Sequence, residues 1–83
     1  MFEVLDAAEP RDPRTLLSAR ELEVLEMASH GLTNMQIAMG LSVTVHAVKF
    51  HLAGVYRKLG VRNRTEAVVV FLTSAHAHVL EGN

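Results

Sequence analysis

Three capping boxes constrain what this 83-residue chain can fold into. Ser18 with Glu21 (S-A-R-E), Thr33 with Gln36 (T-N-M-Q) and Asn63 with Glu66 (N-R-T-E) each set a short oxygen-bearing side chain just ahead of an acid or amide. In such a box the first side chain accepts from the N–H of the last residue, and the last side chain reaches back, so two of the donors left open at a helix start are satisfied. Thr44 stands at a further helix start, and Gly31 and Gly60 stand where two helices should stop in the left-handed conformation. The expected helices run from Ala19 to about His30, Asn34 to about Leu41, the Thr44 cap to Leu59, and Arg64 to about His76. The run A-V-V-V-F-L that follows Glu66 has strong β propensity, yet a cap precedes it and no partner strand exists to pair its backbone.

The predicted fold class is therefore all-α, a compact four-helix domain over residues 18–76 that contains a helix-turn-helix. Residues 1–17 read as an N-terminal arm or linker, since Pro10 and Pro13 interrupt any helix there. Residues 77–83 read as a fraying C-terminal tail. The inward stripes are Leu22, Leu25 and Ser29 with Val24 and Ala28 on the first helix, then Ile37, Ala38 and Leu41 on the second. Val48, Leu52, Val55 and Leu59 follow on the third, and Ala67, Val70 and Phe71 on the fourth. Glu21, Glu23 and Glu26 are assigned to a solvated face, with Glu21 also capping. Met27, Met35 and Met39 are assigned to packing, and Gly40 to a close approach or a fraying end.

The second and third helices, joined by a turn at Ser42 and Val43, have the form of a helix-turn-helix. Ala38 supplies the small residue where the helices cross, and Val48, ten positions on, plugs the angle between them. Away from the buried stripe of the third helix lie His46, Lys49, Phe50, Ala53 and Arg57, none of them an acid. Net charge is −1, but its distribution is uneven: all nine acids fall between Glu3 and Glu26 or at Glu66 and Glu81. Lys49, Arg57, Lys58, Arg62 and Arg64 occupy the acid-free interval from Met27 to Thr65. Salt screens charges beyond about 8–10 Å, so this local patch sets the field a ligand meets. An acid-free, partly basic helix face suits a polyanion groove. Arg62 and Arg64 are open between ion pairs with the acids of the first helix and contacts to DNA.

There is no cysteine, which excludes disulfides, thiolate catalysis and cysteine-ligated zinc, and fits a reducing cytoplasm. No apolar run reaches the roughly 20 residues of a spanning helix, so no membrane partner is expected. His46 and His51, and His76 and His78, lack the i,i+4 spacing of a helical metal site. No carboxylate pair, nucleophile–base pair or phosphate loop is visible, so neither an enzyme nor a cofactor is expected.

The stretch from Leu17 to Val70 resembles the LuxR/GerE-type DNA-binding domain, the output domain of NarL/FixJ response regulators and quorum-sensing LuxR activators. The resemblance rests on R-E-x-x-V-L at Arg20–Leu25, G-L-T-N-x-x-I-A at Gly31–Ala38, V-K-x-H at Val48–His51 and R-K-L-G-V-x-x-R-T-E-A at Arg57–Ala67. Sigma-factor region 4 has a related helix-turn-helix, but the V-K-x-H and R-K-L-G-V pieces favour LuxR/GerE. The resemblance implies a third helix in the major groove of double-stranded DNA and a fourth helix making a homodimer contact. Carried over, Lys49, Phe50 and Ala53 face base edges, and His46 and Ala47 on the same helix are also assigned to DNA binding. Thr33 and Thr44 meet phosphates, and His51, Arg57 and Lys58 touch or support the backbone. Val68, Val69, Leu72, Thr73 and His76 include more apolar surface than one small core can cover and are assigned to the dimer interface, with contact to an upstream domain that hides the DNA-reading face as the alternative.

Departures from the family pattern are Ala47 where Thr is usual, Met35 where Lys is frequent, Ala53 where a polar residue is usual and Gly54 where Asn is usual. Weaker intrinsic affinity, recovered by dimerisation, is the expected result. The expected function is sequence-specific transcriptional regulation, with RNA polymerase or an upstream receiver or ligand-binding domain as further partners. The thinned polar set keeps an alternative open: a protein-interaction module on the same fold that sequesters another regulator or a polymerase subunit.

Overall fold

The computed structural model describes the backbone of residues 12–82 and the side chains of residues 12–74. The helices are α1 (Pro13–Leu16), α2 (Ala19–Ser29), α3 (Asn34–Leu41), α4 (Val45–Leu59) and α5 (Arg64–Gly82). No strand occurs among the described residues, and the four expected helices are α2 to α5. Pro13, expected to interrupt helix, begins one. It occupies the first turn, where its missing N–H costs nothing, and Asp12 caps it by accepting from the Arg14 N–H at 3.0 Å. Pro13 and Leu17 are buried, and α1 packs on α4 and α5. Pro10 lies outside the described residues. At the other end α5 continues to Gly82, past the point where fraying is expected.

The first two boxes close reciprocally, Ser18 with Glu21 and Thr33 with Gln36. The third closes differently: Asn63 Oδ1 accepts from Glu66 N–H at 2.9 Å, while the Glu66 carboxylate takes the N–H of Arg62 at 2.8 Å. Helix ends follow one pattern at three places. Gly31 (φ 85°), Ser42 (φ 58°) and Gly60 (φ 70°) adopt the left-handed conformation. After each, the next N–H returns to a carbonyl of the last helical turn: Leu32 to Met27, Val43 to Ala38 and Val61 to Tyr56. Ser42 holds this conformation with a side chain, at a cost of about 1–2 kcal/mol, because the helix-turn-helix angle requires it.

The core has two lobes. Val24, Ala28, Ile37, Ala38, Val48 and Leu52 join α2, α3 and the first half of α4. Leu17, Leu25, Val55, Leu59 and Ala67 join α2, α5 and the second half of α4. Tyr56 and Val68 border both lobes. The predicted α4 stripe is therefore shared out along its length, its first half fixing the helix-turn-helix and its second half fixing α5. On α2 the buried line is Glu21, Val24, Leu25 and Ala28, with Leu22 and Ser29 at its margins instead of its centre. Met35 and Met39, expected to pack, are exposed on α3, because its buried side is filled by Ile37 and Ala38. Gly40 is a close approach: a β-carbon there would sit 2.8 Å from the Met27 methyl.

Candidate nucleic-acid interface

α4 leaves α3 through an angle of 107°, within the range of a helix-turn-helix. With Val48, Leu52, Val55 and Leu59 buried, the helical period turns His46, Lys49, Phe50, Ala53 and Arg57 outward, and all five are exposed. Ala47 and His51 flank this face and are half-buried. Phe50 keeps 71% of its surface exposed, and its ring meets that of His51 edge-on, with centroids 5.6 Å apart. An aromatic side chain this exposed on a packed helix contributes little to the fold and offers apolar area to a ligand. Thr33 and Thr44 are exposed at the starts of α3 and α4. Their hydroxyls accept from Gln36 N–H at 3.1 Å and Ala47 N–H at 3.0 Å. Accepting uses an oxygen lone pair and leaves the O–H to donate outward.

The basic patch divides into committed and uncommitted charges. Lys58 Nζ donates to Glu21 Oε1 at 2.8 Å, and Arg62, in the turn before α5, pairs with Glu66 four positions on at 3.4 Å. Arg64 donates to Asn34 Oδ1 at 2.9 Å and to the Leu32 carbonyl. Neither arginine meets the acids of α2. Lys49 and Arg57 have no ion-pair partner among the described residues, and both lie on the outward face of α4. On α5, Val69 and Leu72 are about half exposed and Thr73 is exposed. Val68, assigned to the same face, is half-buried and packs against both core lobes. His76 lies outside the described side chains.

Residues 15–71 match the family described as bacterial regulatory proteins, luxR family. The chain belongs to the LuxR family. The nitrate/nitrite response regulator protein NarP of Escherichia coli (strain K12) is 44% identical over 61 residues, which make up 74% of this chain and 28% of NarP. The quorum sensing-dependent transcriptional regulator RpaR of Rhodopseudomonas palustris is 45% identical over 60 residues, 72% of this chain and 25% of RpaR. The crystal structure of response regulator ChrA, from a heme-sensing two-component system, aligns with a TM-score of 0.64 at 47% identity, covering 71% of this chain and 29% of that one. The chain thus spans under a third of the length of these relatives. As a LuxR-family helix-turn-helix it is a DNA-binding regulatory domain.

Within this LuxR-family domain Glu21 is not part of a solvated face. It is buried, because it shares the α2 stripe with Val24, Leu25 and Ala28. Its carboxylate accepts from Ser18 N–H at 3.0 Å as well as from Lys58. It also fills the space beside Gly54, where a β-carbon would collide with Glu21 Oε2. Gly54 is buried, so the missing Asn does not thin the outward face; Ala53, which is exposed, does. Two signals mark this cluster in the sequence. Glu21 precedes Val24, Leu25 and Ala28 at helical spacing, and a glycine inside a helix, costing roughly 1 kcal/mol against alanine, signals close approach.

Burial raises the Glu21 pKa, but the Lys58 and Ser18 hydrogen bonds and the Lys58 charge outweigh it and hold the carboxyl below its ordinary 4.5. A depressed folded pKa contributes stability above the unfolded value and loses it as pH falls through the folded value. The expected outcome is a fall in unfolding free energy below about pH 4.5 that is shallower in Glu21→Gln, with Glu66, also lowered and present in both proteins, supplying the common part. Urea titrations of both proteins from pH 6 to about pH 3 measure this. Parallel profiles would remove Glu21 from the acid response.

Among the described residues no single helix is long and apolar enough to cross a membrane.

Proposed function

We propose that this chain is a sequence-specific transcriptional regulator that places α4 in the major groove of double-stranded DNA and acts as a homodimer through α5. The observation carrying this reading is the outward face of α4: exposed Lys49, Phe50 and Ala53 beside Arg57, which has no ion-pair partner among the described residues, with no acid between them. Lys49 donates to guanine O6 or N7, and Phe50 and Ala53 meet thymine methyl groups. Thr33 and Thr44 donate to phosphates at the starts of two helices. Exposed Val69, Leu72 and Thr73 support a twofold contact that sets two copies of α4 on half-sites about one DNA turn apart. The domain performs no catalysis and needs no cofactor. It acts in the cytoplasm, with RNA polymerase or an upstream receiver or ligand-binding domain as its further partner.

Of the two cations without an ion-pair partner among the described residues, Lys49 and Arg57, only Arg57 is assigned to a phosphate, which makes a specific expectation. At about −0.9 per phosphate neutralised, the slope of log K against log salt is near −1 for one copy and −2 for a dimer. Mobility shifts across a salt series, on a duplex selected from a random pool, measure it. Leu72→Glu, which sets a charge on the exposed α5 face, should leave sedimentation monomeric and halve the slope. No salt-dependent binding to any DNA would refute groove recognition. An unchanged association state in Leu72→Glu would remove α5 as the interface.

A further inference from the structure

We infer that Arg64 is a positioning residue for DNA binding: it locks the start of the dimer helix α5 to the start of α3, and so sets where the helix-turn-helix sits relative to the twofold axis. This rests on the dimeric, groove-reading function proposed above. Arg64 is the first residue of α5 and is half-buried. One arm of its guanidinium donates to Asn34 Oδ1 at 2.9 Å, and another donates to the Leu32 carbonyl. These acceptors lie 30 and 32 positions away in sequence and flank Thr33, the cap of α3 and a proposed phosphate contact.

A rigid planar fork holding two acceptors on either side of one residue fixes orientation as well as distance. Leu32 belongs to the turn between α2 and α3, and Asn34 is the first residue of α3, so the fork grips the entry to the helix-turn-helix. The same helix that begins at Arg64 exposes Val69 and Leu72 one to two turns later. The second core lobe holds α5 against α2 and the second half of α4, whereas its link to the first lobe, which carries α3, is apolar and peripheral, through Val68. At the start of α3, where only that marginal contact reaches, a two-pronged hydrogen bond fixes orientation better than apolar packing does. Arg64 therefore ties half-site geometry to the dimer contact, and does so with a charge turned toward protein acceptors.

The test compares wild type, Arg64→Lys, Arg64→Gln and Asn34→Ala on two probes. One is the selected duplex with both half-sites, and the other is the same duplex cut to a single half-site. Arg64→Lys keeps the charge and loses the fork; Asn34→Ala loses one acceptor and no charge. The expected result is a loss on the order of tenfold on the two-half-site duplex for Arg64→Lys and Arg64→Gln. A smaller loss is expected for Asn34→Ala, with binding to one half-site nearly unchanged and a wild-type salt slope throughout. The Arg64 variants should also tolerate an added or removed base pair between half-sites better than wild type does.

If Arg64→Lys binds both duplexes like wild type while Arg64→Gln lowers the salt slope by about one, Arg64 is a phosphate ligand and the inference is wrong. Equal losses on both duplexes would make its role general folding, which also overturns it. If wild type itself gains nothing from the second half-site, the dimeric reading fails, an outcome separate from any behaviour of the variants.

Discussion

Leu59→Ala is expected to lower the unfolding free energy by about 3 kcal/mol, in the range found when a buried leucine is cut to alanine and the cavity closes only in part. Leu59 is fully buried and packs in the second lobe with Leu17, Leu25, Val55 and Ala67. It is also the last residue of α4, directly ahead of the left-handed Gly60, so the chain cannot shift there without opening the turn into α5. At roughly 0.05–0.15 kcal/mol per residue, a domain of this size has on the order of 4–12 kcal/mol in total, so one truncation removes a large share. Urea unfolding monitored by circular dichroism would show a lower midpoint with an unchanged slope. A loss under about 1 kcal/mol would mean that the second lobe collapses around the gap and does not brace α4 as described.

Lys49→Ala is the largest expected change in binding: a loss of about 1–3 kcal/mol, roughly five- to a hundred-and-fiftyfold, on the selected duplex. Lys49 is exposed beside the fully buried Val48 and has no ion-pair partner among the described residues, so the substitution removes a charge without opening the core. The informative readout is sequence preference. A base reader relaxes discrimination at one base pair in each half-site, whereas a phosphate contact weakens all sequences alike. Mobility shifts on the selected duplex and on single-substitution variants separate these results. Unchanged affinity and preference would exclude Lys49 as a reader and return attention to Phe50 and DNA shape.

Local chemistry made the helices legible. The Ser18, Thr33, Thr44 and Asn63 caps act within a few residues of themselves, and the period of Val48, Leu52, Val55 and Leu59 needs no knowledge of a partner. The outward face of α4 was legible by the same rule, as the complement of its buried stripe. The short helix at Pro13 was not, because a proline that interrupts a helix interior also starts a helix well, and only the burial of Pro13 and Leu17 distinguishes the two. Met35 and Met39 misled for a related reason: an apolar side chain reads as core wherever it occurs, and α3 has too little buried side to take them.

The sequence by itself determined the helices, their order, the helix-turn-helix and membership of a regulatory family, since all of these follow from short-range hydrogen bonding, periodicity and motif spacing. Apart from Arg62, whose partner Glu66 stands four positions away, the tertiary structure alone decided which charges are available. Lys58, Arg62 and Arg64 look like Lys49 and Arg57 in a composition count, yet Glu21, Glu66 and the Leu32–Asn34 entry to α3 claim the first three. Two of those partnerships join residues at least 30 positions apart in the chain. A side chain's charge is written in the sequence, but its partner is set by which helices pack together, and a charge already held by the protein has less to offer a phosphate.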